Sequence, residues 1–315
     1  MPKILILIIF FFLTKFSLAQ FLNTNVDSTW YKYKKEIIIG GGATQFLGDL
    51  GGRNYDRPKR LFNDIDIEAT SWQAHLGFRY HYHPLFATTS LLHLGQYNAS
   101  DYYTFGNRRS AREINIKGGL IDFSQRIEFI FYSKYSAKYI NDKPRYKRFE
   151  LYTFTGIGVC YFEPRSSKYE QFSMWKEGVR LRQLSTEGQG QPGGFGETYK
   201  PFTIVIPFGF GLQKSISRRR SIKFELTYIK SFTDYMDDTS TKYYSYPFND
   251  VTASPEQLVF SNPAGSAQFK NGDERGGKGK DCYFYASFSF VKALGIKDKK
   301  SKTERSFLKN LRLIF

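Results

Sequence analysis

Hydrophobic and polar positions alternate along several stretches of the chain with a period of two, the signature of strands whose two faces meet different surroundings. From Trp72 onward, Trp72, Ala74, Leu76, Phe78, Tyr80 and Tyr82 fall on one face, and Gln73, His75, Gly77, Arg79 and His81 on the other. The same period sets Ile121, Phe123, Ile127, Phe129 and Phe131 against Asp122, Ser124, Arg126 and Glu128. It sets Phe149, Leu151, Ile157 and Val159 against Glu150, Gly156 and Gly158. Phe202 to Leu212 carries large apolar residues at every second position, Ile222 to Tyr228 alternates with Lys223, Glu225 and Thr227, and Phe284 to Phe290 alternates with Tyr285, Ser287 and Ser289. Weaker repeats at 36–47 and 86–97 bring the expected number of strands to eight.

Alternation alone suits a soluble sandwich or a barrel in a membrane. Three features favour the barrel. The repeats run roughly 10 to 16 residues, well beyond the typical globular strand. Aromatic residues gather at their ends, as at Tyr80, Tyr82, Phe131, Tyr132 and Tyr228. Connections alternate between short (near Pro84 and at Ser217 to Arg220) and long (48–70, 163–198 and 236–280), as in outer-membrane barrels with short inner turns and long outer loops. The expected fold is therefore all-β: an eight-stranded antiparallel outer-membrane barrel with long extracellular loops. An even strand number puts both termini in the periplasm.

An eight-stranded barrel is narrow enough for side chains to fill it. On this reading Arg79, Arg126, Glu128, Glu150, Lys223 and Glu225 all point into the lumen, where burial requires opposite signs to pair. A lumenal charge plug follows, which argues against a general porin.

Composition supports the same class. Of 315 residues, 18% are aromatic, Gly numbers 27 and Met only 3, a mix suited to strands and turns. Lys3 followed by the apolar run Ile4 to Leu13, with Ser17-Leu18-Ala19 before Gln20, reads as a Sec export signal over 1–19. No Cys stands at the cut, so no lipoprotein anchor is expected there. Residues 20–35 would be an N-terminal periplasmic segment, 36–292 the barrel and 293–315 a basic C-terminal tail. The formal net charge of +17 is spread between tail and loops, and export removes the chain from nucleic acid, so no nucleic-acid partner is expected.

The chemistry-bearing residues are few. His81 and His83 share a face by strand periodicity but lack a third ligand, and Ser90 and His93 fall on opposite faces, so neither a metal site nor a hydrolase pair is expected. Asp234, Asp237 and Asp238 carry oxygen ligands suited to a hard cation, against the plainer reading of a solvated rim loop. Cys160 and Cys282 lie at the outer ends of two strands that are not neighbours, so a disulfide between them needs a loop to reach across. No enzyme activity, cofactor or small-molecule substrate is expected.

Several stretches carry a family resemblance: Gly40 to Gly52 (GGGATQFLGDLGG), Gly156 to Pro164 (GIGVCYFEP), Leu184 to Gly190 (LSTEGQG), Ile206 to Gly211 (IPFGFG), Ser217-Arg218-Arg219, and Phe232 to Asp238 (FTDYMDD). In order and spacing the chain resembles the PorG-like outer-membrane barrels associated with the type IX (Por) secretion system of Bacteroidetes. That resemblance implies a barrel that anchors or stabilises a periplasmic ring of a PorK-like lipoprotein and a PorN-like protein. The residues themselves give the glycines at 40 and 42 a curvature role and Thr186 to Gly190 the role of a surface turn.

Candidate contacts with a periplasmic partner, or with acidic lipid, are the basic turn Arg218, Arg219 and Arg220, the turn at 133–147, and the tail residues Lys297, Lys299 and Lys300. The alternative is a small adhesin-like or passive-pore barrel acting through its extracellular loops.

Overall fold

The computed structural model describes residues 34–50, 67–101, 110–140, 143–166, 178–196, 198–217, 219–246, 253–277 and 279–294. The export signal, most of the 20–35 segment, Arg218, Lys297, Lys299 and Lys300 lie outside them. Eight long strands form the wall: β1 (Lys35–Leu47), β2 (Ser71–His83), β3 (Phe86–Ser100), β4 (Asn115–Ile140), β5 (Lys143–Ser166), β7 (Phe202–Ser215), β8 (Arg220–Ser231) and β9 (Cys282–Leu294). A two-residue strand, β6 (Val179–Arg180), pairs with the far end of β5. The antiparallel order β4-β3-β2-β1-β9-β8-β7-β5 is closed by β4 pairing with β5, so the sheet is a barrel with no free edge along its wall.

The two faces explain why these residues make a barrel. Outward positions remain exposed although apolar: Ile127 58%, Ile157 61% and Phe210 65%. Inward positions of the wall hold Arg79, Arg126, Glu128, Glu150 and Lys223 at 0% exposure. A soluble protein does the reverse. Burying ions while displaying aliphatic side chains is favourable only where hydrocarbon surrounds the wall. Along β2 the outward band from Trp72 to Tyr82 spans eleven residues, which with the usual strand tilt gives a height of about 25 Å.

The connections sort by end. His83 to Phe86 and Ser215 to Arg220 are tight, while 48–70, 101–114, 167–201 and 232–281 all leave the opposite end. Lys35 pairs with Leu294, so the start of β1 and the end of β9 meet at the short-turn end. The alternation expected at 36–47 and 86–97 proves to be full strands, and the barrel extends to Lys35 and Leu294. One connection departs from expectation. Residues 133–147 are not simply a turn, because β4 and β5 stay paired out to Ile140 and Lys143. A bulge between Ile130 and Tyr132 reverses the alternation there, which hides the continuation from a period-two reading.

At the long-loop end the lumen changes character. Phe46, Tyr97, Ile116, Leu120, Phe162, Val205, Ile229 and Tyr283 form an apolar core that runs up into the loops to meet Leu50, Leu181, Met236 and Phe260. A short helix, α1 (Pro255–Ser261), completes this cap; its start is fixed by a capping box in which Ser254 and Gln257 satisfy each other's backbone N–H.

Candidate functional site: the lumenal charge network and the loop cap

All six charged residues expected in the lumen converge on one network. Arg79 lies 2.7 Å from Glu128, 3.3 Å from Glu36 and 3.5 Å from Glu150, and donates to Gln213 at 2.9 Å. Lys223 reaches Glu225 at 3.1 Å and Glu128 at 3.4 Å, and Arg126 stands 3.9 Å from Glu225. The Tyr152 hydroxyl donates to Glu225 at 2.9 Å, and the ring of Tyr152 has the Arg79 guanidinium and the Lys223 ammonium each 5.0 Å from its centre. Arg148 completes the set by pairing with Glu150. Four cations (Arg79, Arg126, Arg148, Lys223) thus face four carboxylates (Glu36, Glu128, Glu150, Glu225), and the plug is neutral. Neutrality is what makes burial at this depth tolerable.

Glu36, Gln213, Tyr152 and Arg148 join the network without having been expected there. Glu36 was legible: Ile37 and Ile39 face outward, so parity puts Glu36 inward opposite Arg79, its register partner. Tyr152 follows by the same parity from Leu151.

Above the plug sits a second polar layer. His75 is bonded to Ser289 at 2.8 Å and to Gln73 at 3.0 Å. His93 contacts Asp122 at 3.1 Å and stacks on Tyr285, whose hydroxyl donates to Asp122 at 2.6 Å. These Ser, His and Asp groups are buried inside the wall. Ser90 and His93 do face opposite ways, Ser90 meeting Gln125 on the outer side. His81 and His83 do not share a face: the register shifts between them, leaving His81 buried near Glu36 and His83 exposed in the turn.

The cap corrects two expectations. Asp237 and Asp238 are fully buried rather than solvated. Asp237 accepts the backbone N–H of Asp49 at 3.0 Å, while Asp238 accepts hydroxyls from Thr186 at 2.5 Å and Tyr199 at 2.6 Å. Among the described residues no group of His, Cys, Asp and Glu has a metal-holding arrangement. Thr186 to Gly190 is not a surface turn either. Glu187 is buried and ties down 240–241 through the N–H of Ser240 at 2.9 Å and the Thr241 hydroxyl at 2.6 Å. Gly188, at φ +69°, lies where a Cβ would strike the Tyr244 ring at 2.5 Å.

Arg112 and Arg275 cross-brace the cap. Arg112 binds Asp101 at 2.7 Å and the Arg275 carbonyl at 2.6 Å, and Arg275 donates to Thr186 at 2.6 Å. Burial lifts the Asp238 carboxyl to about 6, and burial with a neighbouring acid lifts Asp237 and Asp281 well above the usual carboxylate range.

The two thiols are not joined. Cys160 is buried on the lumenal side of β5, whereas Cys282 is on the outer side of β9 beside the Leu47 carbonyl, with β7 and β8 between them. The candidate bridge fails on parity as well as on the two strands that intervene.

Arg219 and Arg220 are exposed at the short-turn rim, where the Arg219 carbonyl accepts the N–H of Ala293 and Arg220 pairs with Lys292.

A closed wall with an apolar exterior and an ionic, filled interior defines a transmembrane β-barrel of the outer-membrane type. No protein-family profile matches the chain, and no curated protein matches it. Among solved structures it is similar to Ail, the attachment invasion locus protein of Yersinia pestis, in complex with the heparin analogue sucrose octasulfate: 10% identity over 82% of this chain and 97% of that one, TM-score 0.32. It is also similar to a major outer membrane protein from Thermus thermophilus, at 9% identity over 82% of this chain and 99% of that one, TM-score 0.33.

Proposed function

We propose that this chain is a non-enzymatic outer-membrane component of the type IX secretion system that anchors or stabilises the periplasmic ring of a PorK-like lipoprotein and a PorN-like protein. The ordered motifs shared with PorG-like barrels motivate the reading. The observation that carries it is the filled lumen. Among the described residues a neutral plug under an apolar core fills the lumen, which favours a role carried by the protein's surfaces. On this reading the short-turn end faces the periplasm; it carries both ends of the barrel and a rim of basic residues that includes Arg219, Arg220 and Lys292. A ring seated there meets a cationic face.

The second reading, an adhesin-like barrel acting through its extracellular loops, is favoured by one feature: α1 leaves Leu258 and Val259 exposed on an otherwise cross-braced cap. Co-purification from gently solubilised outer membranes separates the two. Ring proteins recovered with the tagged barrel, lost on Arg219→Glu with Arg220→Glu and kept on Leu258→Asp with Val259→Asp, support anchoring. A barrel that comes through without ring proteins refutes it.

A further inference from the structure

The outer wall carries a row of charge that the plug does not use. At the short-turn end, the outward position next to the apolar band is a cation on four neighbouring strands. These are Lys214 after Leu212 on β7, Arg220 before Ile222 on β8, Lys292 after Phe290 on β9 and Lys35 before Ile37 on β1. All four side chains are exposed. Arg220 and Lys292 are register partners. Lys214 pairs with Ile222 and Lys292 with Ile37, so Lys214 stands diagonal to Arg220, and Lys35 diagonal to Lys292. Facing residues have Cβ atoms about 5 Å apart and diagonal neighbours lie about 7–8 Å apart, which makes one continuous row. Lys134 extends it past β5, since Lys134 and Lys214 both pair with Phe149.

Like charges set directly opposite one another destabilise a sheet, and nothing described in the fold offsets them here. Among the described residues no carboxylate lies on the outer face at this end. Glu36, Glu128, Glu150 and Glu225 point inward and are taken up by the plug. The row is also one-sided, because β2 and β3 carry Tyr80, Tyr82 and Phe86 at the corresponding end of the wall.

Position selects the occupant. Each cation lies two residues from an apolar or aromatic side chain of the lipid-facing band, about 7 Å along the strand and about 5 Å in height at the usual tilt. The headgroup layer beyond the hydrocarbon is about 6 Å deep. These side chains therefore end among headgroups, and Lys35 sits beside Tyr80 of the aromatic rim. A protein beneath the barrel meets the turn that holds Arg219 before it meets these strand positions. A second copy placed row to row would bring charge of the same sign.

We infer that Lys35, Lys214, Arg220 and Lys292 form a headgroup site that gathers anionic phospholipid on one side of the barrel, with Lys134 at its margin. The contact is made by strand positions rather than by the basic turn or tail, and it requires no ring protein.

The test uses the full chain, purified without ring proteins and reconstituted in phosphatidylcholine vesicles with a trace of phospholipid spin-labelled on its acyl chain. Electron spin resonance reads the fraction of label held against the wall, for phosphatidylglycerol and phosphatidylcholine in turn. Phosphatidylglycerol should associate about threefold more strongly, diluted from the larger effect of several cations near one phosphate by averaging over the whole wall. Lys35→Gln, Lys214→Gln, Arg220→Gln and Lys292→Gln together should remove that preference. Lys200→Gln, Lys242→Gln, Lys270→Gln and Lys280→Gln make the same change in net charge at exposed positions of the long-loop end and should keep it. Both proteins must show the mobility shift of a folded barrel on unboiled gels. If the first does not, Lys214→Gln with Lys292→Gln replaces it, with at least half of the preference lost. No preference in the wild type, a preference that survives the short-turn variant, or equal losses in the two variants overturns the inference. So does loss of the preference in millimolar glycerol phosphate, which would make the row a site for a free phosphate. Ring co-purification is read separately, since this assay contains no ring protein.

Discussion

Removing Arg79 is the sharpest perturbation of this barrel. Its guanidinium faces Glu128 at 2.7 Å, Glu36 at 3.3 Å and Glu150 at 3.5 Å with no exposed surface. At an effective dielectric of about 20, Coulomb's law gives about 6 kcal/mol for the closest of these contacts and about 5 for each of the others. Desolvation of the ions and repulsion among the carboxylates cancel most of that. What survives is the cost of stranding buried carboxylates, about 3–5 kcal/mol when one partner is deleted. Arg79→Met should therefore lower unfolding stability by about that amount. Urea unfolding in lipid vesicles measures it, with Trp72 on the lipid-facing wall as reporter. Adding Glu128→Gln restores neutrality and should recover at least half of the loss. A single variant that costs less than about 1 kcal/mol, or a double variant whose cost is the sum of its parts, refutes the account, because paired buried charges are non-additive.

The cap should loosen as pH rises. Asp238 ionises at about 6 in the folded protein against an ordinary 3.8, so the folded state holds the extra proton, and stability present below about pH 4 is lost through pH 6, about 3 kcal/mol for this group. Hydrogen exchange at 234–246, corrected for intrinsic rate, should be slower at pH 4.5 than at 7.5, and Asp238→Asn should flatten the difference; protection that grows with pH would contradict this. Gly42→Val should abolish folding, since a Cβ there would lie 1.9 Å from the Ala286 carbonyl oxygen; a normal unboiled gel shift would count against it. In planar bilayers the wild-type barrel should show no steady conductance, and a stable open channel would mean that the plug moves aside.

Where two environments alternate along the chain, the sequence was readable. Trp72 to Tyr82 displays the lipid-facing and lumenal sets in order, and six inward charges found from parity alone do meet. Parity failed at irregularities. The bulge at Phe131 and the register shift at His81 each inserted a residue that no local pattern announces, so the paired ends of β4 and β5 read as a turn and His83 as a neighbour of His81. The cap was opaque for another reason. Its stability comes from contacts such as Asp49 with Asp237 and Thr186 with Arg275, separated by 188 and 89 residues, and none of its segments repeats. Buried acids therefore looked like solvated ones.

The plug has a consequence for how the wall is assembled. Arg126 and Glu128 sit two residues apart on β4, Arg148 and Glu150 on β5, Lys223 and Glu225 on β8, and Glu36 pairs across to Arg79 in the β1–β2 hairpin. Each of these plug pairs thus arrives as a cancelling set within its own strand or strand pair, and two of them, Arg148 with Glu150 and Lys223 with Glu225, stay in contact in the finished barrel. A sheet growing into the bilayer gains no net lumenal charge from any of these pairs. Closure then adds the contacts between strands, such as Arg79 with Glu128 and Arg126 with Glu225, so only the sealed barrel reaches the full set of pairings.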